Sequence, residues 1–464
     1  MMRYKMSDEK KPREKSYRIC LASDFFFPNI GGVEAHIYSM AYCLASMGHK
    51  IVIITRERKS MNLTGVRYYT NGIKVYYIPA TMLEIGIVMP MHNSTLCILL
   101  RHILLRERIE VIHGHQKASL IVIIMIFLAR IMDIPYVVTQ HSLFDFNDVG
   151  SVELNRLYRF CNRMVSHSIC VSNTVRENAI LSSFLNPGDC SVIPNALDST
   201  FYHPRPVKKD PSRIKVVVFS RMTFRKGVDL LLEILPIVCH KYPNVVFAIS
   251  GDGPKRPLLE SLVKEHGIES QVEIQGFTEF TSVPSFLSAG DIFLNVSVSE
   301  AFCMAILEAA ACGLYVVSTD VGGIPEILPS DQMTLCKPES QDMLTKLSKV
   351  IDEKTYLGAS KSRDYIKESY DWFYVAEKTV EIYDRVVEKR HEDSLAKLAM
   401  LSHTPYMPGY FILLIGMCFV RVMIWIADHL FPRSQVVFAP WLKIPSSSSN
   451  TTATSPSKSP TDEN

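Results

Sequence analysis

Short apolar runs separated by stretches of helical periodicity set the pattern of the first half of the chain. RICLA (Arg18 to Ala22) reads as a buried strand, and SDFFFPNIGG after it as a loop rich in turn formers. Val33, Ile37, Met40, Leu44 and Met47 then recur at helical spacing, with Gly48 as the stop. KIVIIT (Lys50 to Thr55) is a second strand, and KVYYIPA, EVIHGH, YVVTQ, SHSICVS and CSVIPNA are further ones. Strands that are apolar throughout and alternate with helices predict a parallel sheet covered on both faces. LIVIIMIFLA (Leu120 to Ala129) is too short to cross a bilayer and predicts a buried helix of that cover.

The pattern then restarts. IKVVVFS (Ile214 to Ser220) is an apolar strand, DLLLEILPIVCHKYP is helical, and VVFAISGDG, VEIQG, IFLNVS and YVVSTD follow as strands. The predicted class is therefore α/β, with two Rossmann-like, doubly wound domains facing each other across a cleft. The expected boundaries are a charged tail at 1–16, domains at 17–200 and 201–388, and a linker at 389–409. Pro204, Pro206 and Pro211 mark the join between the domains. YFILLIGMCFVRVMIWIA (Tyr410 to Ala427) has the length of a transmembrane helix and is set off by Pro405, Pro408 and Gly409. It is expected to be a single, isolated tail anchor. Arg421 in its middle costs roughly 2.5–3.5 kcal/mol and is expected to snorkel or to face a partner helix. Residues 428–464 form a polar tail ending in a low-complexity stretch.

Composition narrows the function. A net charge of +3 over 464 residues, with no concentrated basic face, sets nucleic acid aside as a partner. The eleven cysteines contain no C-x-x-C pair, which removes zinc ribbons and thioredoxin-like chemistry. Cys20 and Cys170 sit within apolar runs, as buried free thiols do in a reducing compartment. The charged N-terminus lacks the apolar core of a secretory signal, so a cytosolic body is expected. Of the glycosylation sequons at Asn62, Asn93, Asn295 and Asn450, only the last would then be lumenal.

The residues that carry chemistry fall at the ends of predicted strands. Gly31 and Gly32 join the first strand to the first helix, where bare backbone and a helix N-terminus accept an anion. The G-x-G-x-x-G fingerprint is absent, which disfavours nicotinamide chemistry. In SRMTFRKG, Arg221 and Lys226 follow the first strand of the second domain and can hold a departing diphosphate. A solvated surface loop is the bland alternative. Ser299 reads as an N-cap for a helix from Glu300 to Cys312, ended by Gly313. Glu300 would then sit in its first turn, with Glu308 two turns on, roughly on the same face. Glu308, inside AILEAAAC, needs a hydrogen-bonding partner. His113 and His115 point to one side of a strand end, but no nearby Cys or acid completes a metal site. No D-x-D occurs either, so no catalytic metal is expected.

Taken in order, GGVEAHI, SVIPNALD, FSRMTFRKG, ISGDGPKR and NVSVSEAFCMAILEAAACGLYVVST closely resemble the retaining glycosyltransferases of family 4. The resemblance covers nearly the whole globular body. It implies the GT-B architecture, with the donor held mainly by the second domain and the acceptor by the first. It assigns Arg221 and Lys226 to the donor diphosphate, Glu308 to the ribose and Glu300 to the moving sugar. The backbone of Phe302, Cys303 and Met304 would lie near the sugar or phosphate, with Gly31 and Gly32 approaching from the opposite domain. His141 would stand beside the reacting sugar. Within the family, TQHSLFDF, ICVSNTVREN and VGGIPEILP resemble the members that begin glycosylphosphatidylinositol-anchor synthesis, with a departure at Asp145, where the pattern has Gly. That implies UDP-GlcNAc as donor, phosphatidylinositol as acceptor, no cofactor, further subunits, and an endoplasmic reticulum membrane. A relative using GDP-mannose on another lipid, or a scaffold without catalysis, are the rival readings.

Overall fold

A computed structural model describes residues 15–27, 31–79, 94–116, 119–143, 158–159, 161–183, 185–389 and 407–440. The N-terminal tail up to residue 14, most of the expected linker, the tail beyond 440, and Asn93, Asp145 and Asn450 lie outside them. Two sheets organise the chain. The first holds β1 (Arg18–Ala22), β2 (Lys50–Arg56), β3 (Gly65–Tyr68), β4 (Lys74–Ile78), β5 (Val111–His115), β6 (Tyr136–Gln140), β7 (His167–Cys170) and β8 (Cys190–Val192). Their order is β3-β4-β2-β1-β5-β6-β7-β8. All pairs are parallel except β3 with β4, where Val66 lies opposite Tyr76. All four β3 residues are exposed, so this edge strand carries no apolar signature to read.

Around this sheet lie α1 (Gly32–Ser46), α2 (Ser94–Arg106), α3 (Leu120–Met132) and α4 (Asn173–Ser183). The expected buried helix at Leu120–Ala129 is α3, with all ten of those residues buried. Ser119 accepts from the Val122 N–H at its start, and Asp24, from the loop after β1, accepts from the Leu120 and Ile121 N–H groups. Side-chain acceptors thus replace the missing turn at this N-terminus.

The second sheet is wholly parallel: β9 (Ile214–Phe219), β10 (Val245–Ser250), β11 (Val272–Gln275), β12 (Ile292–Asn295), β13 (Tyr315–Thr319) and β14 (Met333–Cys336), in the order β11-β10-β9-β12-β13-β14. Its helices are α5 (Val228–Lys241), α6 (Arg256–Glu265), α7 (Val283–Ser288), α8 (Met304–Ala311), α9 (Ser340–Asp352) and α10 (Ser360–Ser369). One apolar core runs from the α1 side of the first sheet into the second domain, and each sheet has a further core on its other face.

Two helices depart from the expected boundaries. The helix α11 (Trp372–Glu388) follows the second domain in sequence but packs on α1 of the first. Its Tyr383 hydroxyl lies 2.6 Å from His113 Nδ1, and Asp384 accepts from the Tyr17 hydroxyl at 2.5 Å. The expected isolated span at 410–427 belongs instead to α12 (Met407–Leu430), docked on α2 and α3. Val420, Ile424 and Ala427, one helical stripe, are buried in the first domain's core. The helix continues to Leu430, past the expected start of the polar tail. Among the described residues, no helix is long and apolar enough to cross a membrane.

The docking has an electrostatic pin. Arg101 of α2, its side chain 1% exposed, pairs with Asp428 of α12, which also meets Arg433. Removing one partner of a buried pair strands the other charge, at a cost of about 3 kcal/mol. Asp428→Ala is therefore expected to lower Tm by about 5 °C or more. Arg101→Met, which removes the buried charge itself, should cost far less; equal losses for the two variants would contradict this account.

Candidate functional site

The carboxyl ends of β9 and β12 place the donor-side residues. The loop after β9 runs from Ser220 through Arg221 to Lys226 and turns into α5 at Gly227, whose φ is +69°. A side chain at Gly227 would meet the Val296 carbonyl at 1.6 Å, so only glycine lets this loop lie flush against the end of β12. Val298 N–H donates to the Arg225 carbonyl across the same seam at 3.1 Å. The closeness brings Lys226 Nζ into an ion pair with the Glu300 carboxylate, and Ser297 Oγ donates to the same oxygen at 2.9 Å. Burial works against the Lys226 charge, but Glu300 beside it outweighs this and raises the pKa. Arg221 stays exposed on the same loop. It is electrostatically coupled to Glu34 of α1, whose carboxyl is pushed up by burial and drawn back by its own backbone N–H and by Arg221.

The helix expected from Glu300 to Cys312 is shorter. The helix α8 begins at Met304, with Cys303 extended before it, and Ser299 does not cap it. Glu300 lies in the preceding loop, held through its side chain by Lys226 and Ser297 and through its carbonyl by the Gly323 N–H at 3.0 Å. These tertiary bonds outweigh the local helical preference of the sequence. The two glutamates therefore do not share a helix face. Phe302 and Cys303 are buried beside the α8 start, and Met304 is half-buried.

Neither α8 nor α1 has a side-chain cap at its N-terminus. The start of α8 suits an anion, whereas at the start of α1 the Glu34 carboxylate already takes its own backbone N–H. The two starts face one another: a Cβ added to Gly32, at the start of α1, would lie 3.9 Å from Met304 Cγ. Gly31 precedes it, with Glu34 folded back against it. Glu308, one turn into α8, is half-buried and accepts from Tyr202. Burial, only partly offset by that hydrogen bond, pushes its carboxyl up to about 7.

Opposite them, on the first domain, stands a group of imidazoles that sequence spacing only partly revealed. His113 spends both ring nitrogens, on Tyr383 OH at 2.6 Å and Thr139 Oγ1 at 2.7 Å, which is a structural role. His115 does not act with His113 as a pair of ligands. Its Nδ1 lies 3.3 Å from His141 Nε2, and His36 of α1 closes the group, with Nδ1 2.9 Å from Asn195 Oδ1. One nitrogen from each of His36, His115 and His141 falls within 4.8 Å of the others, the only such three-residue group of metal-ligand type among the described residues. The expectation that nothing completes a site around the H-x-H pair thus missed His36, which lies far away in sequence. Burial, followed by the neighbouring imidazoles, drives the pKa of His115 and His141 well below the ordinary value. Burial brings that of His36 to about 4. All three are neutral near pH 7, and His141 is half-buried where the other two are buried.

Comparison with known proteins decides the family. Residues 201–372 match the glycosyl transferases group 1 family, and residues 58–148 match PIGA (GPI anchor biosynthesis). A phosphatidylinositol N-acetylglucosaminyltransferase subunit of Arabidopsis thaliana is 43% identical, over 82% of this chain and 85% of the relative. The corresponding human protein is 42% identical, over 87% and 84%. The phosphatidylinositol N-acetylglucosaminyltransferase gpi3 subunit of Schizosaccharomyces pombe is 38% identical, over 90% and 91%. The chain belongs to the PIGA family. It is a group 1 glycosyltransferase of GT-B fold.

Two solved structures share the fold of this PIGA-family chain. Sucrose-phosphate synthase from Thermosynechococcus elongatus superimposes with a TM-score of 0.68 at 16% identity, covering 80% of this chain and 99% of the other. Anabaena Alr3699/HepE in complex with UDP gives 0.65 at 20%, covering 79% and 100%. At these identities the likeness concerns the fold alone. The group 1 match ends at Trp372, where the PIGA-family chain leaves the second domain to return along α11.

Proposed function

We propose that this chain transfers N-acetylglucosamine from UDP-GlcNAc to the inositol of phosphatidylinositol, with retention at the anomeric carbon, as the first step of glycosylphosphatidylinositol-anchor synthesis. The observation that carries the reading is the Lys226–Glu300 pair at the mouth of two facing helix N-termini. The diphosphate lies between the starts of α1 and α8, with Arg221 and Lys226 neutralising the charge that grows as it departs. Gly31 and Gly32 admit it from one side, and the backbone of Phe302, Cys303 and Met304 from the other. Glu308 takes the ribose hydroxyls. Glu300, relieved of part of its hold on Lys226 when the phosphate arrives, orients the moving sugar. His141, neutral and half-buried, stands beside the reacting carbon. The inositol hydroxyl attacks from the face the phosphate leaves, and its proton passes to the departing phosphate.

The names of the relatives and the exposed face of α12 support this reading of the acceptor and the setting. Its docked stripe leaves Ile415, Val422, Trp425 and Leu430 exposed, an apolar face suited to lipid, with Arg421 free to reach the headgroups. We place the chain at the endoplasmic reticulum membrane, with its catalytic body in the cytosol, as one component of a larger transferase. Membranes carrying the full chain are expected to transfer sugar to phosphatidylinositol from UDP-GlcNAc and not from GDP-mannose, with or without a chelator. Transfer only from GDP-mannose would overturn the donor. No transfer from either would favour the scaffold reading, and loss with chelator would give the three histidines a metal.

A further inference from the structure

The motif VGGIPEIL supplies a carboxylate that the chemistry above does not use. Glu326 follows the Gly322–Gly323 turn of the second domain, yet both its oxygens are spent on the first. Glu326 Oε2 accepts from the Asn173 N–H at 2.6 Å and from Asn173 Nδ2 at 2.9 Å. Glu326 Oε1 accepts from the Thr174 N–H at 2.9 Å and lies 3.0 Å from Thr174 Oγ1. These groups form the first turn of α4, so a carboxylate from one domain closes the N-terminus of a helix in the other. Burial alone would raise the Glu326 pKa, but the hydrogen bonds from Thr174 and Asn173 bring it below the ordinary value.

The contact is one end of a seam that reaches Glu300. Ser172 Oγ, just before α4, donates to the Ala301 carbonyl at 2.8 Å, and Thr174 Oγ1 lies 3.0 Å from the Gly322 carbonyl. The Gly322–Gly323 turn is wedged between them. A Cβ on Gly322 would meet the Glu300 carbonyl at 1.9 Å, and one on Gly323 would meet the Ala301 carbonyl at 2.2 Å and Ser172 Oγ at 2.6 Å. The loop bearing Glu300 is thus backed by the turn on one side and by the first domain on the other. The domains share an apolar core, but along this edge of the cleft they meet on polar contacts, the kind of interface that permits relative motion. A charged, four-point dock then weighs heavily in how often the cleft is closed.

We infer that Glu326 is a positioning residue that holds the cleft in its donor-competent arrangement by docking the second domain on the start of α4. It touches no substrate. Its loss lowers the fraction of molecules ready to bind, which raises the apparent dissociation constant of the donor by the inverse of that fraction and leaves the saturated rate in place. This rests on the transferase reading, so the first measurement avoids turnover. UDP binding to the purified full chain is measured by calorimetry for wild type, Glu326→Gln, Thr174→Val and the double variant. Glu326→Gln should weaken UDP about tenfold, the scale of a charge-assisted hydrogen bond lost between domains. Thr174→Val should weaken it less, and the double variant no more than Glu326→Gln alone, because the two act through one contact. In transfer assays the donor KM should rise by the same factor with kcat within about twofold. Unchanged UDP affinity, additive losses, or a fall in kcat at constant KM would each overturn the proposal. Failure of transfer by the wild type, with the UDP result intact, would count against the substrate assignment and not against Glu326.

Discussion

Lys226→Ala is expected to lower kcat by about 10²–10³-fold, the range seen when one preorganised charge-stabilising donor is removed from a reacting centre. The physical case rests on where the ammonium sits. It is half-buried in the seam between the loop after β9 and the end of β12, and Glu300 holds it charged. Alanine there removes the cation proposed to meet the leaving phosphate and also strands the Glu300 carboxylate, which would then repel the incoming diphosphate. Glu300→Gln keeps the shape and frees Lys226, so a smaller loss is expected from it. Because the two side chains form one unit, the double variant should be far less impaired than the product of the single losses. Steady-state kinetics with UDP-GlcNAc on membranes carrying each variant gives the answer. A Lys226→Ala enzyme within about threefold of wild type would mean that the phosphate charge is met elsewhere.

A second large effect is a pH dependence that belongs to donor binding. With its carboxyl raised to about 7, Glu308 in the empty protein is largely neutral below that pH and ionised above it. Two ribose hydroxyls donating to one carboxylate need the ionised form. Donor affinity should therefore be flat above pH 7 and weaken by up to about tenfold per pH unit below it, since each unit costs a proton that binding must expel. Glu308→Gln should weaken UDP about tenfold at pH 8 and abolish the slope. A wild-type slope that survives in Glu308→Gln would assign the titration to another group. The sign for stability is opposite. A carboxyl raised on folding opposes the folded state once ionised, so its contribution is best at low pH and is lost as pH climbs from the unfolded value of 4.5 toward 7.

Both sheets were legible in sequence because nearly every strand is buried on both faces and therefore apolar throughout. RICLA, KIVIIT, IKVVVFS and YVVSTD became β1, β2, β9 and β13 with little change. The fully exposed β3 was not legible, for the converse reason. Within the site, Arg221, Lys226, Glu300 and Glu308 stood out by position, but their geometry did not. A stretch that reads as one helix from Glu300 begins it only at Met304, since an ion pair and a carbonyl bond from distant segments hold Glu300 in a loop. His36 and Glu326 escaped notice for a related reason. One lies inside the first helix and the other in a short turn, and each acquires a role only through residues distant in sequence. The apolar stretch at 410–427 reads correctly as a helix, but nothing local announces that Asp428 finds Arg101.

The path of α11 has a practical consequence for dividing this protein. The chain crosses between domains twice, once near residue 200 and again before Trp372, so the second domain is a continuous insertion and the first is built from two separate lengths of polypeptide. Cutting after residue 200 would leave Tyr17 without Asp384, His113 without Tyr383, and His36 without the Trp372 ring 5.0 Å away. A donor-domain exchange with a relative therefore needs two junctions, with 372–388 kept from the parent that supplies residues 17–200. Two tethers also limit the hinge: the halves can pivot about an axis through both crossings, but they cannot twist freely as beads on one string.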